Sequence, residues 1–270
     1  MPGRVLIIAG SDSGGGAGIQ ADIKTVTALG GYAMTAIAAL TAQNTLGVHG
    51  IEPVAPDFVG LQVDVVLDDL GADAIKLGML VNAGIAAAVA ARLAPIAADV
   101  PVVLDPVMIA KGGHKLMSDD AIDTIKADLL PHAAVVTPNA PEAEVLTGLA
   151  VSTPDDLRAA GKALLAMGAR HVLMKGGHLA GDQLVDLLLG PGIDMAFTDT
   201  RIDTRHTHGT GCTLASAVAT GLAQGMGVVD AVRRARAYVS RAIETAPGLG
   251  GGHGPLNHGF TLDPARVPRG

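Results

Sequence analysis

The chain has 270 residues, a length that accommodates one large α/β domain or two small ones. Its 19 Lys and Arg against 26 Asp and Glu give a net charge of −7, and it contains 3 Phe, 2 Tyr and no Trp. These features argue against a nucleic-acid-binding protein, which needs basic side chains to neutralise phosphates and aromatic rings to stack on bases. The hydrophobic content of 49% excludes a disordered chain. The single cysteine excludes an internal disulfide and a zinc cluster of thiolates, which fits a reducing compartment.

The beginning of the chain does not resemble a signal peptide, because its apolar run at residues 5–9 is short and is followed by glycine and Asp12. An uncharged stretch at residues 209–229 is about long enough to cross a bilayer. It contains several hydroxyl side chains, a glutamine and glycines, which favours a buried helix instead. We therefore expect a cytoplasmic protein that does not interact with membranes or nucleic acid.

Short apolar runs alternate with longer segments of helical periodicity. The runs are nearly continuous Val, Ile, Leu and Ala, which is typical of strands buried on both faces. In chain order, the pattern predicts strands at residues 5–9, 33–40, 74–77, 100–104, 133–137, 172–175, 184–189 and 195–198. It predicts helices at residues 18–30, 56–70, 82–94, 118–130, 140–148, 154–168, 211–224 and 228–245. Ser118 before two aspartates and Thr153 before Pro154 are start signals for two of these helices.

This alternation predicts a mostly parallel sheet with helices on both faces, in the α/β class. No linker, block of like charge or internal repeat divides the chain, so we expect residues 1–270 to form a single domain. Ligands bind beyond the carboxyl ends of the strands in such sheets. The segments that directly follow strands are therefore expected to carry the chemistry.

A glycine-rich segment, residues 10–18, follows the first strand. Glycine lets the backbone approach a ligand closely, and the N-terminus of the next helix favours anions. The standard nucleotide motifs do not match, because no Lys-Ser or Lys-Thr follows the glycines and Ile19 stands where a dinucleotide fingerprint needs glycine. The segment is either a ligand-binding loop or a set of tight turns.

A second glycine-rich segment, residues 206–212, opens the uncharged helix. Gly209, Thr210 and Gly211 are expected to present successive N–H groups where a transferring phosphoryl group binds. Cys212 falls in the first helical turn, and we expect the helix dipole to lower the pKa of its thiol. The alternative is a buried structural cysteine behind a turn of small residues. The two histidines of this segment lack neighbouring cysteines, so we do not expect a zinc site.

Two carboxylates follow later strands. Glu142 stands three residues after Asn139, a spacing that by itself indicates a capping box. The functional alternative is that Glu142 holds Mg²⁺ directly or through water. Asp105 ends the strand at residues 100–104 and is a second candidate, since Mg²⁺ takes a few carboxylates together with phosphates. It is equally consistent with a turn residue before Pro106.

One cation and one amide complete the set of candidates. Lys175 directly follows a buried strand, which would aim its charge at the ligand crevice and suits a polyphosphate; a solvated loop lysine is the alternative. Gln43 follows the second strand. Its amide offers an acceptor beside donors, which matches a heteroaromatic edge with an amino group next to a ring nitrogen. An exposed loop glutamine is the alternative.

Taken together, these segments resemble, in order, one family: the hydroxymethylpyrimidine/phosphomethylpyrimidine kinases of thiamine biosynthesis, in the ribokinase-like superfamily. The motifs that carry the resemblance lie at residues 9–22, 43–45, 104–108, 137–142, 174–178 and 208–213. The resemblance extends from the first strand to the Gly-His-Gly sequence at residues 252–254, nearly the whole chain.

The resemblance implies a three-layer α/β/α ribokinase-like fold, a homodimer, and two phosphoryl transfers from ATP with Mg²⁺. The first phosphorylates 4-amino-5-hydroxymethyl-2-methylpyrimidine, and the second converts the monophosphate to the diphosphate. For the pyrimidine it implies Gln43, with Gly10, Asp22, Met79 and Val107 nearby. For catalysis it implies Gly209, Thr210, Gly211, Cys212 and Lys175, of which Thr210, Gly211 and Lys175 also bind ATP. For the metal it implies Glu142 and Asp105.

The resemblance also bears on Cys212 and on the competing functions. Sugar kinases of the superfamily carry aspartate at this position, whereas the pyrimidine kinases that this chain resembles carry cysteine. A pyridoxal or pyridoxine kinase, which shares the fold and the anion site, is the alternative enzyme. A pyrimidine-binding regulator without transfer activity is the non-enzyme alternative. Residues 110–117 contain glycines that suit a mobile lid.

Overall fold

The computed structural model describes residues 2–108, 116–179 and 181–263 of the chain. Within these ranges one nine-stranded sheet crosses the molecule, in the order β3-β2-β1-β4-β5-β6-β7-β8-β9. The strands are β1 (Arg4–Asp12), β2 (Tyr32–Asn44), β3 (Gly47–Pro53), β4 (Ala74–Leu77), β5 (Val102–Leu104), β6 (Val135–Val136), β7 (Val172–Met174), β8 (Gln183–Gly190) and β9 (Ile193–Thr200).

The centre of the sheet is parallel and its edges are antiparallel. The strands from β2 through β1, β4, β5 and β6 to β7 pair in parallel. β3 pairs antiparallel with β2, and β8 and β9 continue antiparallel from β7. The predicted α/β class with a mostly parallel sheet is confirmed. The sequence did not reveal β3, because its glycines and terminal proline are atypical of a strand. Its antiparallel pairing with β2 keeps this segment extended.

Helices cover the sheet. They are α1 (Gly18–Ala28), α2 (Pro56–Asp69), α3 (Ala83–Leu93), α4 (Asp119–Thr124), α5 (Ala140–Thr147), α6 (Pro154–Ala166), α7 (Thr210–Ala223) and α8 (Val228–Glu244). The helix predicted at residues 118–130 is wrong in its second half, where a π-helical turn (Ile125–Leu129) and a 3₁₀ turn (Leu130–His132) follow α4. Pro131 explains the end of regular structure, since it lacks an N–H and its ring crowds the preceding turn. Thr153 caps α6 as predicted.

Two apolar cores lie on opposite faces of the sheet, and β1 separates them. Leu6 and Ile8 belong to the core shared with α2 to α6, whereas Val5 and Ile7 belong to the core shared with α1, α7 and α8. This division follows from the two-residue period of a strand, which points successive side chains to opposite faces. The predicted three-layer arrangement is confirmed.

The uncharged segment forms α7, whose residues 213–221 are all buried beneath α1 and α8. The prediction of a buried helix is thus confirmed. In the described part of the chain, no helix has both the length and the apolar character needed to span a bilayer. The lid predicted at residues 110–117 lies almost wholly outside the described residues, which resume at 116.

Candidate active site

The polar residues that follow the strands meet at a cavity on the carboxyl edge of the sheet. The cavity has a volume of about 1110 Å³. The predicted site residues that line it are Gly10, Gln43, Met79, Asp105, Val107, Glu142, Lys175, Gly209, Thr210, Gly211 and Cys212. They come from the ends of the central strands and from the start of α7, because parallel strands end at a common edge.

The N-terminus of α7 forms one wall of the cavity. Gly209 is its N-cap, with a φ of 84°. A side chain at this position would also collide with the carbonyl of Gly16, so only glycine fits. The first N–H groups of a helix have no acceptor within the helix, and they attract anions. The residues predicted to bind a phosphoryl group therefore form the N-terminus of a helix at the cavity wall.

Lys175 lies opposite this helix terminus. A Cβ on Gly211 would lie 3.2 Å from Lys175 Nζ, so the ammonium and the helix N-terminus converge. Nζ lies 3.0 Å from Asp105 Oδ1 and 3.6 Å from Glu142 Oε2. Burial by itself would lower the pKa of Lys175, but the two carboxylates outweigh it and raise that pKa above its ordinary value. The side chain is a cation held beside an anion-binding site.

Asp105 has one carboxylate oxygen in use and one free. Its Oδ1 accepts hydrogen bonds from Thr137 Oγ1 and from Lys175, both at 3.0 Å. Its Oδ2 is buried and has no hydrogen-bond partner among the residues that the structure describes. A buried oxygen without a partner costs free energy, so Oδ2 fits a ligand that the cavity receives.

Glu142 forms the capping box and lies at the wall of the cavity. Its Oε2 accepts the Asn139 N–H at 2.8 Å, and Asn139 Oδ1 accepts the Glu142 N–H at 2.9 Å, so the predicted capping box is present. Burial, reinforced by nearby Asp105 against the opposing effect of Lys175, raises the pKa of Glu142 to about 7. Its second oxygen, Oε1, is not part of the capping box.

Asp105 and Glu142 fit Mg²⁺ as partial ligands. Mg²⁺ prefers oxygen ligands and retains waters or substrate phosphates in its shell. Among the described residues, no group of three or more His, Cys, Asp or Glu is placed to hold a metal ion. Magnesium bound here would therefore need phosphate or water oxygens in addition to these carboxylates.

The expected activation of Cys212 is wrong. Burial raises the pKa of the Cys212 thiol to about 12, helped by Asp22 and Asp105, although Lys76 and the N–H of Gly18 act in the opposite direction. The effect of a helix dipole on a thiol is smaller than the cost of burying a thiolate. At neutral pH Cys212 is a thiol in the wall of the cavity.

The prediction that Asp22 contacts the substrate also needs correction. Asp22 is fully buried and does not line the cavity. Its Oδ2 accepts from Lys76 Nζ at 2.9 Å, and its Oδ1 accepts from Ser216 Oγ at 2.7 Å. Asp22 therefore supports Lys76, which does line the cavity.

Lys76 is a site residue that the sequence analysis missed. Its side chain is fully buried within β4, where the other three residues are apolar. A lysine in a strand buried on both faces requires a buried partner, so this pattern was a usable signal. Burial would lower the pKa of Lys76, but Asp22 and the other nearby acids more than offset this and raise it.

Asp12, also missed, organises the glycine-rich loop. Its Oδ1 accepts the Gly14 N–H, and its Oδ2 accepts the N–H groups of Gly16 and Ala17. Burial alone would raise the pKa of Asp12, but hydrogen bonds from His208 and from this backbone hold it below its usual value. Gly15 and Gly18 have φ values of 77° and 54°, so these two glycines lie in tight turns, and Gly10 and Gly18 also line the cavity.

A pocket for a ring lies at the Gln43 end of the cavity. Gly10 leaves room for Met79, whose terminal methyl group would collide with a Cβ at position 10. Met79 and Leu116 belong to a small apolar cluster against which Val107 packs. This end therefore offers apolar walls and one amide, a combination that suits a small heteroaromatic molecule.

Comparison with known proteins relates this geometry to a family. The family model described as phosphomethylpyrimidine kinase matches residues 12–257. The hydroxymethylpyrimidine/phosphomethylpyrimidine kinase of Bacillus subtilis (strain 168) is 48% identical over 256 residues, which cover 94% of each chain. The thiamine biosynthesis bifunctional protein ThiED of Geobacter sulfurreducens is 50% identical over 264 residues, 98% of this chain and 54% of that protein. The chain thus spans about half the length of this bifunctional relative.

A solved structure of a related kinase has the same fold as this chain. The ADP complex of Bacillus subtilis pyridoxal kinase superposes with a TM-score of 0.89 at 35% identity, covering 96% of this chain and 98% of that one. Identity is higher to the curated pyrimidine kinases than to this pyridoxal kinase. From the matching model and the relatives aligned over nearly the whole chain, the chain belongs to the phosphomethylpyrimidine kinase family.

Proposed function

We propose that this protein phosphorylates 4-amino-5-hydroxymethyl-2-methylpyrimidine with ATP, and then phosphorylates the resulting monophosphate to the diphosphate, as a step of thiamine biosynthesis. The observation that carries the proposal is the single cavity that joins Gln43 to Lys175 and the N-terminus of α7. An acceptor ring at the first end and a polyphosphate at the second would meet within it. The relatives' names supply the substrate.

The pyrimidine end would hold the acceptor. We assign Gln43 to the amino edge of the ring, and Gly10, Met79 and Val107 to the walls of the pocket. The substrate hydroxyl would then attack the γ-phosphorus while the bond to the bridging oxygen of ADP breaks, and the hydroxyl proton would pass to an oxygen of the transferred phosphoryl group. In the second step a phosphate oxygen attacks instead, and it carries no proton that must leave.

The part of the cavity at Lys175 and the N-terminus of α7 would stabilise the negative charge of the transferring phosphoryl group. We assign Lys175 to the phosphate oxygens and the N–H groups of Gly211 and Cys212 to the transferring group, since phosphoryl transfer depends mainly on positioning and charge stabilisation. Asp105 and Glu142 would hold Mg²⁺, which neutralises phosphate charge when bound. The thiol of Cys212 would shape the anion site.

We place the nucleoside of ATP in another part of the same cavity. The cavity continues there along β8, β9 and α8, with apolar side chains in its wall. Those side chains are Leu184, Ile202, Leu214, Val239 and Ile243. We assign the adenine to this region, because apolar side chains beside polar and charged ones suit a flat ring with a polar edge. The sequence offered no compact motif for it, since these residues come from four separate segments.

Replacing Cys212 separates a chemical role from a shaping role. We expect Cys212→Ala to slow both phosphorylations by a similar factor of about tenfold or less, because a protonated thiol cannot take up the hydroxyl proton and acts through the shape of the anion site. The measurement is kcat on the alcohol and on the monophosphate in separate assays. A loss confined to the alcohol would contradict this expectation and show that the thiol takes part in proton transfer.

A pyridoxal kinase is the second candidate, favoured by the superposition with a pyridoxal kinase of known structure. Turnover of the pyrimidine alcohol, its monophosphate and pyridoxal, each with ATP and with or without Mg²⁺, tests both candidates. Diphosphate appearing after monophosphate supports the proposal, and faster turnover of pyridoxal favours the second candidate. Saturable pyrimidine binding without any turnover would instead indicate a regulator.

We also propose that the protein is a homodimer, as the family resemblance implies, and that α2 lies in the interface. Phe58, Leu61 and Val65 are 57%, 51% and 56% exposed, and their spacing places them on one side of the helix. We expect Phe58→Asp to shift the sedimentation coefficient to that of a monomer, and Ile23→Asp, on α1 at the opposite face of the sheet, to leave it unchanged. A monomeric parent protein would contradict the proposal.

A further inference from the structure

His208 occupies a fixed position between the glycine-rich loop and Gln43. Its backbone N–H donates to the carbonyl of Gly254 at 3.1 Å, so the C-terminal tail holds it from one side. Its ring fills the space above Gly16, where a Cβ would lie 2.5 Å from the ring Cδ2. The absence of a side chain at Gly16 therefore makes room for this ring rather than for a ligand.

The neighbours of His208 determine where its proton lies. Its Nε2 is 3.0 Å from Asp12 Oδ2, an oxygen that also accepts the N–H groups of Gly16 and Ala17. An oxygen with these donors belongs to a carboxylate, which can only accept. His208 Nε2 must therefore carry a proton and act as a donor.

The same nitrogen lies 3.2 Å from one end of the Gln43 amide. Because a protonated Nε2 has no lone pair to accept a hydrogen bond, the end of the amide that faces it must be the oxygen, which shares the single Nε2 hydrogen with Asp12 Oδ2. The oxygen and nitrogen of an amide exchange places when the group rotates by 180°. The hydrogen-bond partners decide which of the two orientations is correct. His208 thus selects one of the two amide orientations.

Thr41 independently selects the same orientation. Its Oγ1 donates its only proton to the carbonyl of Ser11 at 2.9 Å. It also lies 3.2 Å from the other end of the Gln43 amide, so that end must donate and is the nitrogen. Both neighbours require the oxygen of Gln43 toward His208 and the nitrogen toward Thr41.

We propose that His208, held by Asp12, is a positioning residue that fixes the direction in which Gln43 reads the edge of the substrate ring. The inference rests on the proposed function. The Gln43 oxygen has a second lone pair for the exocyclic amino group, and the nitrogen has a second proton for the adjacent ring nitrogen. The amino group then lies on the His208 side, and a ring with the opposite donor and acceptor order is rejected.

The test compares two acceptors that differ only in this order. One is the 4-amino alcohol, and the other is its 4-oxo analogue, which presents an acceptor at position 4 and a ring N–H beside it. We expect His208→Ala to lower the ratio of kcat/KM for the amino compound over the oxo compound by at least about tenfold, because Thr41 alone then holds the amide, and its hydroxyl can rotate to donate to the amide oxygen instead of to Ser11. The KM for ATP is expected to stay within about twofold, since the phosphate end is intact.

Two further variants distinguish orientation from a general loss of structure. Gly16→Ala, which displaces the ring without removing it, is expected to lower the same ratio. His49→Ala, an exposed histidine on β3, is expected to leave it unchanged. An unchanged ratio in His208→Ala, or an equal rise in the KM for ATP, would overturn the inference.

A readout without substrate separates this inference from the proposed function. If the unsubstituted protein phosphorylates neither compound, the proposed function fails, and the side-chain amide resonance of Gln43 still decides the positioning role. That resonance is assigned by its loss in Gln43→Glu. We expect His208→Ala to move it toward the position of solvent-exposed amides. A resonance that does not move would show that His208 does not hold the amide.

Discussion

Lys175→Met is expected to lower kcat for phosphoryl transfer by about a thousandfold while the KM for the pyrimidine changes little. The side chain is the cation placed beside the N-terminus of α7, and loss of one preorganised donor to a developing charge costs about 10²–10³ in kcat. The fold should survive, because Glu142, with its pKa raised to about 7, can take up a proton when the ammonium is removed. Steady-state kinetics on the alcohol, with thermal unfolding in parallel, measure both effects.

Two companion variants make this prediction specific. Lys162→Met on α6 removes an exposed lysine and is expected to leave kcat unchanged. Lys175→Arg is expected to restore only part of the activity, because a planar guanidinium does not replace a compact ammonium beside Asp105. More than about a tenth of the parent kcat in Lys175→Met would contradict the assignment of this residue to charge stabilisation.

Lys76→Met is expected to lower the free energy of unfolding by about 3–5 kcal/mol, because it leaves Asp22 as an unpaired charge in the core. The Lys76 and Asp22 side chains are both fully buried, with Nζ 2.9 Å from Oδ2. Adding Asp22→Asn to Lys76→Met is expected to recover at least about half of the loss, since no charge then remains to be buried. Urea denaturation of the single and double variants measures this.

An exposed ion pair provides the matched control. Arg233 and Asp230 are 2.7 Å apart with side chains 61% and 64% exposed. Arg233→Met should cost less than about 1 kcal/mol, because water screens such pairs. A loss in Lys76→Met no larger than in Arg233→Met would mean that the buried pair is not ionised.

Much of the candidate site was predictable because its residues occupy regular positions along the chain. Gln43, Asp105 and Lys175 each lie at or just beyond the carboxyl end of a strand, and a parallel sheet brings such positions together. The capping box of Asn139 and Glu142 needs only a spacing of three residues. Both signals depend on neighbours in the sequence.

The misjudged residues depend on partners that are distant in sequence. The pKa of Cys212 is set by burial and by charges from α1, β4 and β5, not by its own helix. Asp22 was placed in the site by family resemblance, yet it acts through Lys76, more than fifty residues away. His208 was considered only as a zinc ligand, although its ring contacts Asp12 and Gln43.

The sequence by itself determined the succession of strands and helices along the chain, the parallel centre of the sheet and the edge of the sheet at which polar residues gather. These follow from apolar periodicity and from turn and cap residues, which act over a few positions. Only the tertiary structure decided that β3 extends the sheet, that the Cys212 thiol stays protonated, and that His208 orients Gln43. Desolvation, charge pairing and hydrogen-bond direction depend on which distant segments pack together, and no local pattern specifies them.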